Sequence, residues 1–367
     1  MKTLTEAHLP RRKTRRIWIG KVPVGGGAPI AVQSMTKTDT RDIKATTAQI
    51  LSLAAAGCEI VRLAVPDREA ADSLAALKKR SALPLIADIH FDHRLALAAL
   101  RAGVDGLRIN PGNIGSKDKV REVVRAAKDR KVPIRIGVNS GSLEKDLLKK
   151  HGGAATAGAM VESALRHVRI LEDMDFRLIK ISLKASDVLR TLAAYRLLAR
   201  KVDYPFHAGI TEAGGLLAGA VKSAAGLALL LQEGLADTVR VSLTAPPEEE
   251  VRVAYQILAA LELRRRGPVV ISCPTCGRAE VEVMAIAAEV EKRVAGLTVP
   301  LTVAVMGCMV NGPGEAREAD IGLACGQGKG VIFKKGKLLR QVPEKTIVRE
   351  FLKEVFRLAG ENRHGKK

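Results

Sequence analysis

Two rhythms of apolar and polar positions run along this chain. Short β-branched stretches recur eight times, at Ile30–Met35, Glu59–Val65, Leu85–Ile89, Gly106–Asn110, Ile134–Val138, Leu178–Leu183, Phe206–Ile210 and Thr238–Leu243. After each comes a polar or Gly-containing turn and then a stretch with helical spacing, as in Val120, Val123, Val124 and Ala127. Helices are predicted at 46–56, 68–80, 93–102, 117–130, 155–174, 186–201, 222–233 and 248–266. Gly57, Gly103, Gly234 and Gly267 stand where helix C-terminal glycines belong. Alternating strand and helix implies parallel pairing with crossover helices. Eight such units suit a closed (β/α)8 TIM barrel. An open doubly wound sheet is disfavoured, because no G-x-G-x-x-G follows the first strand. A hairpin from Arg15 to Val22, turning through Gly25-Gly26-Gly27, is expected to cap the barrel bottom.

From Pro268 the pattern changes. Strand candidates 269–272, 301–305, 321–323 and 330–333 mix with helices near 279–295 and 344–358. The expected architecture is thus α/β: a barrel over residues 1–266 and a smaller α+β domain over 267–367, joined near Leu261–Gly267.

Composition changes this picture little. Hydrophobic residues make up 47%, normal for a globular protein. The first sixteen residues are polar and basic, unlike a secretory signal. The apolar stretch Leu216–Leu231 is interrupted by Lys222, which suits a buried helix better than a membrane span. A cytoplasmic protein with no membrane association is expected. The net charge of +21 raises the question of nucleic acid, but aromatics are only 3%, leaving little for base stacking. Anionic small molecules or an acidic protein partner account for the charge equally well.

The strand ends carry the first candidate chemistry, since active sites of such barrels lie at the C-terminal ends of their strands. Those ends hold Arg62, Asp88 with His90, Arg108 with Asn110, Arg135 with Asn139, Lys180 with Ser182 and Lys184, His207, Glu212, and Arg240 with Ser242. In Arg108-Ile109-Asn110 and Arg240-Val241-Ser242, period-two alternation puts both polar residues on one face. Cations converging on a barrel mouth need an anion among them, and guanidinium forks match phosphate oxygens. The plain alternative for any one arginine is a surface ion pair. Asp88 and His90 could simply pair with each other, and His207 could be a satisfied core histidine. Glu212, in Gly209-Ile210-Thr211-Glu212-Ala213-Gly214-Gly215, could be a proton donor or an ion-pair partner.

Four of the five cysteines lie in the C-terminal third: Cys273, Cys276, Cys308 and Cys325. Cys273-Pro274-Thr275-Cys276 has the spacing that brings two thiolates to one centre, whether zinc, an iron–sulfur cluster or a redox dithiol. Cys308 could add a third thiolate. The run Gly307–Glu315 then reads as a tight Gly/Pro-rich turn ending in a carboxylate. Cys325 remains open as a fourth ligand of a structural zinc.

Several segments resemble the 4-hydroxy-3-methylbut-2-enyl diphosphate synthase family of the non-mevalonate isoprenoid pathway. They are Ala31–Thr36, Ala87–Asp92, Leu107–Gly115, Ile134–Asn139, Gly209–Gly215 and both cysteine motifs, spread over nearly the whole chain in the family's order. The resemblance implies a [4Fe-4S] cluster on Cys273, Cys276, Cys308 and, through oxygen, Glu315. It implies that the barrel binds 2-C-methyl-D-erythritol 2,4-cyclodiphosphate, which is opened and reduced by two electrons, with Glu212 moving a proton. A flavodoxin or ferredoxin donor, the shorter bacterial form and a head-to-tail homodimer are implied too. Lys37 stands where the family often has Asn and reads as a surface change. Cys325 stands where a small residue is usual. The competing readings are a phosphate-substrate aldolase or isomerase barrel with a structural zinc domain, and a nucleic-acid binder with a zinc module.

Overall fold

Val32, Val61, Leu63, Leu107, Ile109, Ile134 and Ile136 are buried in one apolar layer between strands and helices, and alternation along the same strands turns their neighbours into the lumen. The computed structural model describes residues 11–308, 312–326 and 328–364. It divides into two units, Met1–Arg264 and Arg265–Lys367. Among the described residues no helix is long and apolar enough to cross a membrane.

The first unit opens with a hairpin, β1 (Ile17–Ile19) and β2 (Val22–Val24). Eight parallel strands follow: β3 (Ala31–Met35), β4 (Ile60–Ala64), β5 (Leu85–Asp88), β6 (Gly106–Ile109), β7 (Ile134–Asn139), β8 (Ile179–Lys184), β9 (His207–Ala208) and β10 (Thr238–Val239). Their order is β8-β7-β6-β5-β4-β3-β10-β9. A parallel bridge from Ile181 to Phe206 joins the two ends, so the sheet closes on itself. The helices are α1 (Ile43–Ala56), α2 (Arg68–Arg80), α3 (His93–Arg101), α4 (Lys117–Asp129), α5 (Lys145–Lys150), α6 (Ala157–Glu172), α7 (Val188–Ala199), α8 (Leu216–Gln232) and α9 (Pro247–Ala260). Asp42, Asp67, Asp92, Thr156 and Asp187 cap helix N-termini by accepting a backbone N–H, which fixes where the strand-to-helix loops end. Gly57 ends α1 at φ +103°, donating to the carbonyls of Leu53 and Ala54.

Three details differ from the pattern-based expectation. The hairpin turns at Gly20-Lys21, with Gly20 at φ +55°, and the three glycines follow β2 instead of forming the turn. Strands β9 and β10 keep two ladder residues each. They meet closely at Gly209, where a Cβ would lie 2.4 Å from the Arg240 carbonyl oxygen, and leave the ladder beyond it. Helix α5, six residues long, is too short to show a period. The hairpin's Ile17, Ile19 and Val24 pack with Ala31, Ile60 and Ile86 from the starts of β3, β4 and β5, so this end of the lumen is apolar. The polar side chains lie at the other end.

The second unit is a five-stranded sheet of β11 (Pro268–Ser272), β12 (Leu301–Met306), β13 (Ile321–Gly326), β14 (Lys329–Lys334) and β15 (Lys337–Pro343), in that order. The first three are parallel and the last two pairings antiparallel. Helices α10 (Val283–Val294) and α12 (Ile347–His364) contribute to one core, which holds Leu323, Cys325, Val290 and Phe351. Helix α11 (Gly312–Glu318) packs with Met306, Ala324 and Phe333 in another. Strand β15 escapes the sequence pattern because it is an edge strand, mostly exposed and carrying Lys and Pro. The basic tail at Lys366-Lys367 and the motif residues Met309–Asn311 lie outside the described residues.

Candidate active site

At the C-terminal end of the barrel, Asp88, Arg108, Arg135 and Lys180 sit side by side in one row of the parallel ladder. All are buried: Lys180 is 1% exposed and Arg135 3%. Asp88 is the hub of one side. Its carboxylate takes Arg62 Nε at 3.4 Å and Arg108 Nη1 at 3.2 Å, with His90 Nε2 at 3.6 Å. Burial raises its pKa, yet the surrounding arginines overcome this and hold the group below the usual carboxylate range. Arg108 Nη1 also lies 3.0 and 2.9 Å from the His90 ring nitrogens, and Nη2 donates to the Gly137 carbonyl at 3.0 Å. Asn110 Oδ1 accepts from Gly137 N–H at 3.1 Å, which locks the end of β6 to β7. Asp88 and His90 do pair, but as part of this larger set.

The other side is short of anions. Arg135 Nη1 donates to Ser182 Oγ at 2.8 Å, and Lys180 Nζ to Gln33 Oε1 at 3.4 Å. Lys184 Nζ lies 3.4 Å from His207 Nε2, and His207 Nδ1 is 2.8 Å from Thr238 Oγ1. An ammonium can only donate, so Nε2 accepts and Nδ1–H donates to Thr238. Burial, reinforced by neighbouring cations, pushes Lys184, Lys180, Arg135 and His207 well below their ordinary values. Arg62 is lowered to about 10 for the same reasons. His90, half-exposed, is lowered by burial and then by Arg108.

Among the described residues, six cations (Arg62, Arg108, Arg135, Lys180, Lys184 and Arg240) thus face two carboxylates, Asp88 and Glu250. Arg108 Nε, Arg135 Nε and Nη2, Arg240 Nε and Gln33 Nε2 are buried without a hydrogen-bond partner. Buried donors in this state cost free energy until an acceptor arrives, so the lumen is preorganised for an anion with several oxygens. Asn139 ends β7 opposite Lys184, and Ser242 follows Arg240 on the loop beyond β10; both are half-buried. Glu212 stands apart. It is exposed on the loop after β9, in left-handed backbone at φ +53°, a conformation a non-glycine residue adopts at a cost.

Four residues here escaped the sequence reading. Glu250, 2% exposed, is the counter-charge beneath Arg240: Oε2 takes Arg240 Nη2 at 3.5 Å and Ser34 Oγ at 3.0 Å, and Oε1 takes Leu243 N–H at 3.1 Å. In sequence it is one of three glutamates opening α9, which read as ordinary helix N-terminal acids. Lys37 lies at the surface, as read, but its Nζ pairs with Glu250 Oε1 at 3.1 Å and donates to the carbonyl oxygens of Leu243 and Ala245, a role its sequence position did not show. Gln33 and Met35 face the lumen. The Met35 sulfur accepts from Arg62 at 2.8 Å, and the two-residue period of Ala31, Gln33 and Met35 was the available signal.

In the second unit, Cys273 directly follows β11, and Cys308 lies two residues beyond the paired strand β12. Gly307 N–H donates to Cys273 Sγ at 3.3 Å, Glu280 N–H to the Gly307 carbonyl at 3.3 Å, and Ala279 N–H to the Cys276 carbonyl at 2.8 Å. The two cysteine loops are therefore tied together. Only glycine fits at 307, since a Cβ would come within 2.1 Å of Val283 Cγ2. Cys273 and Cys308 are half-buried and Cys276 exposed, with Thr275 between the first pair at φ +59°. No three His, Cys, Asp or Glu among the described residues converge closely enough to hold one ion. The last part of the expected turn, from Gly312 to Glu315, is instead the start of α11. Pro313 at its beginning lacks the N–H that a first turn leaves unpaired, and Glu315 is exposed in that first turn. Cys325 is fully buried, its thiol pushed up to about 12 by burial, and belongs to the core with α10 and α12.

Comparison with known proteins agrees with both halves. The model of the GcpE TIM-barrel domain matches residues 14–255, and that of the GcpE protein C-terminal domain matches residues 269–357. The chain is 60% identical over 351 residues, 96% of this chain and 99% of the relative, to the 4-hydroxy-3-methylbut-2-en-1-yl diphosphate synthase (flavodoxin) of Geobacter sulfurreducens. It is 62% identical over 346 residues, 94% of this chain and 96% of the relative, to the protein of the same name from Maridesulfovibrio salexigens. Among solved structures, dihydropteroate synthase from Xanthomonas albilineans overlaps it at a TM-score of 0.48 and 16% identity, over 67% of this chain and 97% of that one. With matching models over both units and relatives at this identity, the chain belongs to the GcpE family.

Proposed function

We propose that this chain opens and reduces 2-C-methyl-D-erythritol 2,4-cyclodiphosphate to (E)-4-hydroxy-3-methylbut-2-en-1-yl diphosphate, with two electrons from a reduced flavodoxin. The carrying observation is the anion-starved lumen: six cations against two carboxylates, with arginine donors left unpaired. A cyclic diphosphate offers oxygens on two phosphorus atoms, enough to engage Arg62, Arg108, Arg135, Lys180, Lys184 and Arg240 together. Asp88 and Glu250 hold Arg62, Arg108 and Arg240 in place, and the unpaired Nε–H groups of Arg108 and Arg240 are left for the ligand. Asn110, Asn139, His90 and Ser242 supply neutral hydrogen bonds around it, while His207, held by Thr238, positions Lys184. Keeping His207 uncharged spares the lumen a seventh cation. Glu212, on its glycine-flanked loop, is the acid assigned to protonate the departing oxygen.

Members of the family carry a [4Fe-4S] cluster, and the tied cysteine loops fit one. Cys273, Cys276 and Cys308 would hold it, with the exposed Glu315 as oxygen ligand; bound there, it supplies single electrons at low potential. The work is accordingly divided, with substrate bound in the barrel of residues 1–266 and electrons delivered through 267–367. A head-to-tail homodimer is part of this proposal. It is supported by Phe91 and Leu217, 76% and 81% exposed on the loop after β5 and at the start of α8, apolar side chains that a second copy would cover. The net charge of +21 suits an acidic flavodoxin in the cytoplasm.

The test is anaerobic purification followed by metal analysis and turnover with reduced flavodoxin. A brown protein rich in iron and sulfide that forms the allylic diphosphate is expected. A colourless zinc protein, active in air on an aldol or isomerase substrate, would overturn the reading.

A further inference from the structure

We propose that His167 is a positioning residue that clamps the loops carrying Asn110 and Asn139, and through them sets how tightly the barrel mouth holds a diphosphate. The inference rests on the functional reading above. His167 lies on α6, outside the lumen, and is 3% exposed. Both of its ring nitrogens are engaged, each with a different loop. Gly112 N–H donates to Nδ1 at 3.0 Å, and Nε2 stands 3.2 Å from Glu144 Oε1. A nitrogen that accepts a backbone N–H carries no proton, so the neutral ring has its proton on Nε2 and donates it to the carboxylate.

The surroundings are built for this ring. Glu144 Oε1 also accepts from Ser163 Oγ at 3.1 Å, and the hydrogen bond with His167 is the main cause that holds the Glu144 carboxyl at about 2. A Cβ at position 112 would come within 2.7 Å of the imidazole Cε1, so only glycine admits the contact. Gly112 lies two residues past Asn110 and Glu144 five past Asn139, on the loops that leave the adjacent strands β6 and β7. Asn110 is already tied to β7 through Gly137. The imidazole adds a second tie farther along both loops. Buried hydrogen bonds of this kind cost most when one partner is removed and the other is left unpaired.

The experiment measures KM for the cyclic diphosphate and the affinity for inorganic diphosphate in the cluster-loaded enzyme, for His167→Ala, Glu144→Ala and the double variant. Each single variant is expected to raise KM about tenfold and weaken inorganic diphosphate to a similar extent, with kcat within about threefold of wild type. The double variant should be no worse than the weaker single, because both remove one clamp. His167→Gln, whose amide offers both an acceptor and a donor, should recover most of the loss. If alanine at 167 does not fold, His167→Asn keeps an acceptor for Gly112 without reaching Glu144, and is expected to behave like Glu144→Ala. Wild-type diphosphate affinity in the folded single variants would overturn the clamp, as would fully additive losses. Failure of the wild-type enzyme to turn over the cyclic diphosphate would instead count against the functional reading, while the inorganic diphosphate measurement still decides on the clamp.

Discussion

Replacing Arg135 with methionine takes one cation out of the middle of the lumen row and separates ligand binding from fold stability. Arg135 is 3% exposed, lies between Arg108 and Lys180 in the ladder, and has one hydrogen bond, to Ser182 Oγ. Its Nε and Nη2 have none. Each unpaired buried donor costs about 1–3 kcal/mol. Two like charges about 7 Å apart repel by roughly 2 kcal/mol at an effective dielectric constant of about 20, which sets the scale for the cationic neighbours of Arg135. Attraction to Asp88 and loss of the Ser182 bond offset part of this. Exchanging buried ions for apolar side chains of similar size stabilises proteins by about 1–4 kcal/mol in favourable cases, and the same range is expected here. For a unit of this size that is a rise in Tm of about 2–4 °C per kcal/mol. Losing a charge-assisted contact to phosphate should cost about 2–5 kcal/mol of binding, raising KM at least about thirtyfold. Thermal melts of the ligand-free, cluster-loaded enzyme would be run with and without inorganic diphosphate. Wild type should gain stability from the ligand and Arg135→Met should not. A variant that melts lower than wild type without ligand, yet keeps its KM, would show that Arg135 is a structural residue and refute the reasoning.

Three further outcomes are expected. Lys180 and Lys184 have folded pKa values well below their unfolded value near about 10.4, so the folded state binds fewer protons between the two. Their penalty is full below the folded values and fades as pH rises towards the unfolded value, so urea melts of the ligand-free enzyme should gain stability as the pH is raised into that alkaline range, and less so with diphosphate present. Glu250→Gln leaves Arg240 and Lys37 without their carboxylate; a loss of about 3–5 kcal/mol in the same melts and a raised KM are expected, and near-neutral stability would count against its counter-charge role. Cys308→Ser should lose iron and sulfide while Cys325→Ser keeps them, with Glu315→Ala keeping most of the iron but losing turnover; a cluster lost from Cys325→Ser would make that residue the fourth ligand instead.

The barrel was legible because its cause is local. Val120, Val123, Val124 and Ala127 mark the buried face of α4 by spacing alone, and the polar–apolar–polar order of Arg108-Ile109-Asn110 shows which side chains share a face. Edge strand β15 and six-residue α5 were not legible, since an exposed or very short element leaves no period.

The candidate site divides in the same way. Sequence by itself determined which strand ends carry cations, that three cysteines stand at metal-ligand spacing, and which family the segments resemble. Tertiary structure alone decided that Glu250, among three consecutive glutamates, turns inward under Arg240, and that Lys37 reaches it. It also decided that Cys325 is core, and that His167 meets Gly112 and Glu144 at sequence distances no local pattern records. The reason is physical. Periodicity reports which face of an element is apolar, but the pairing of buried charges depends on helix phase and on backbones brought together from distant parts of the chain.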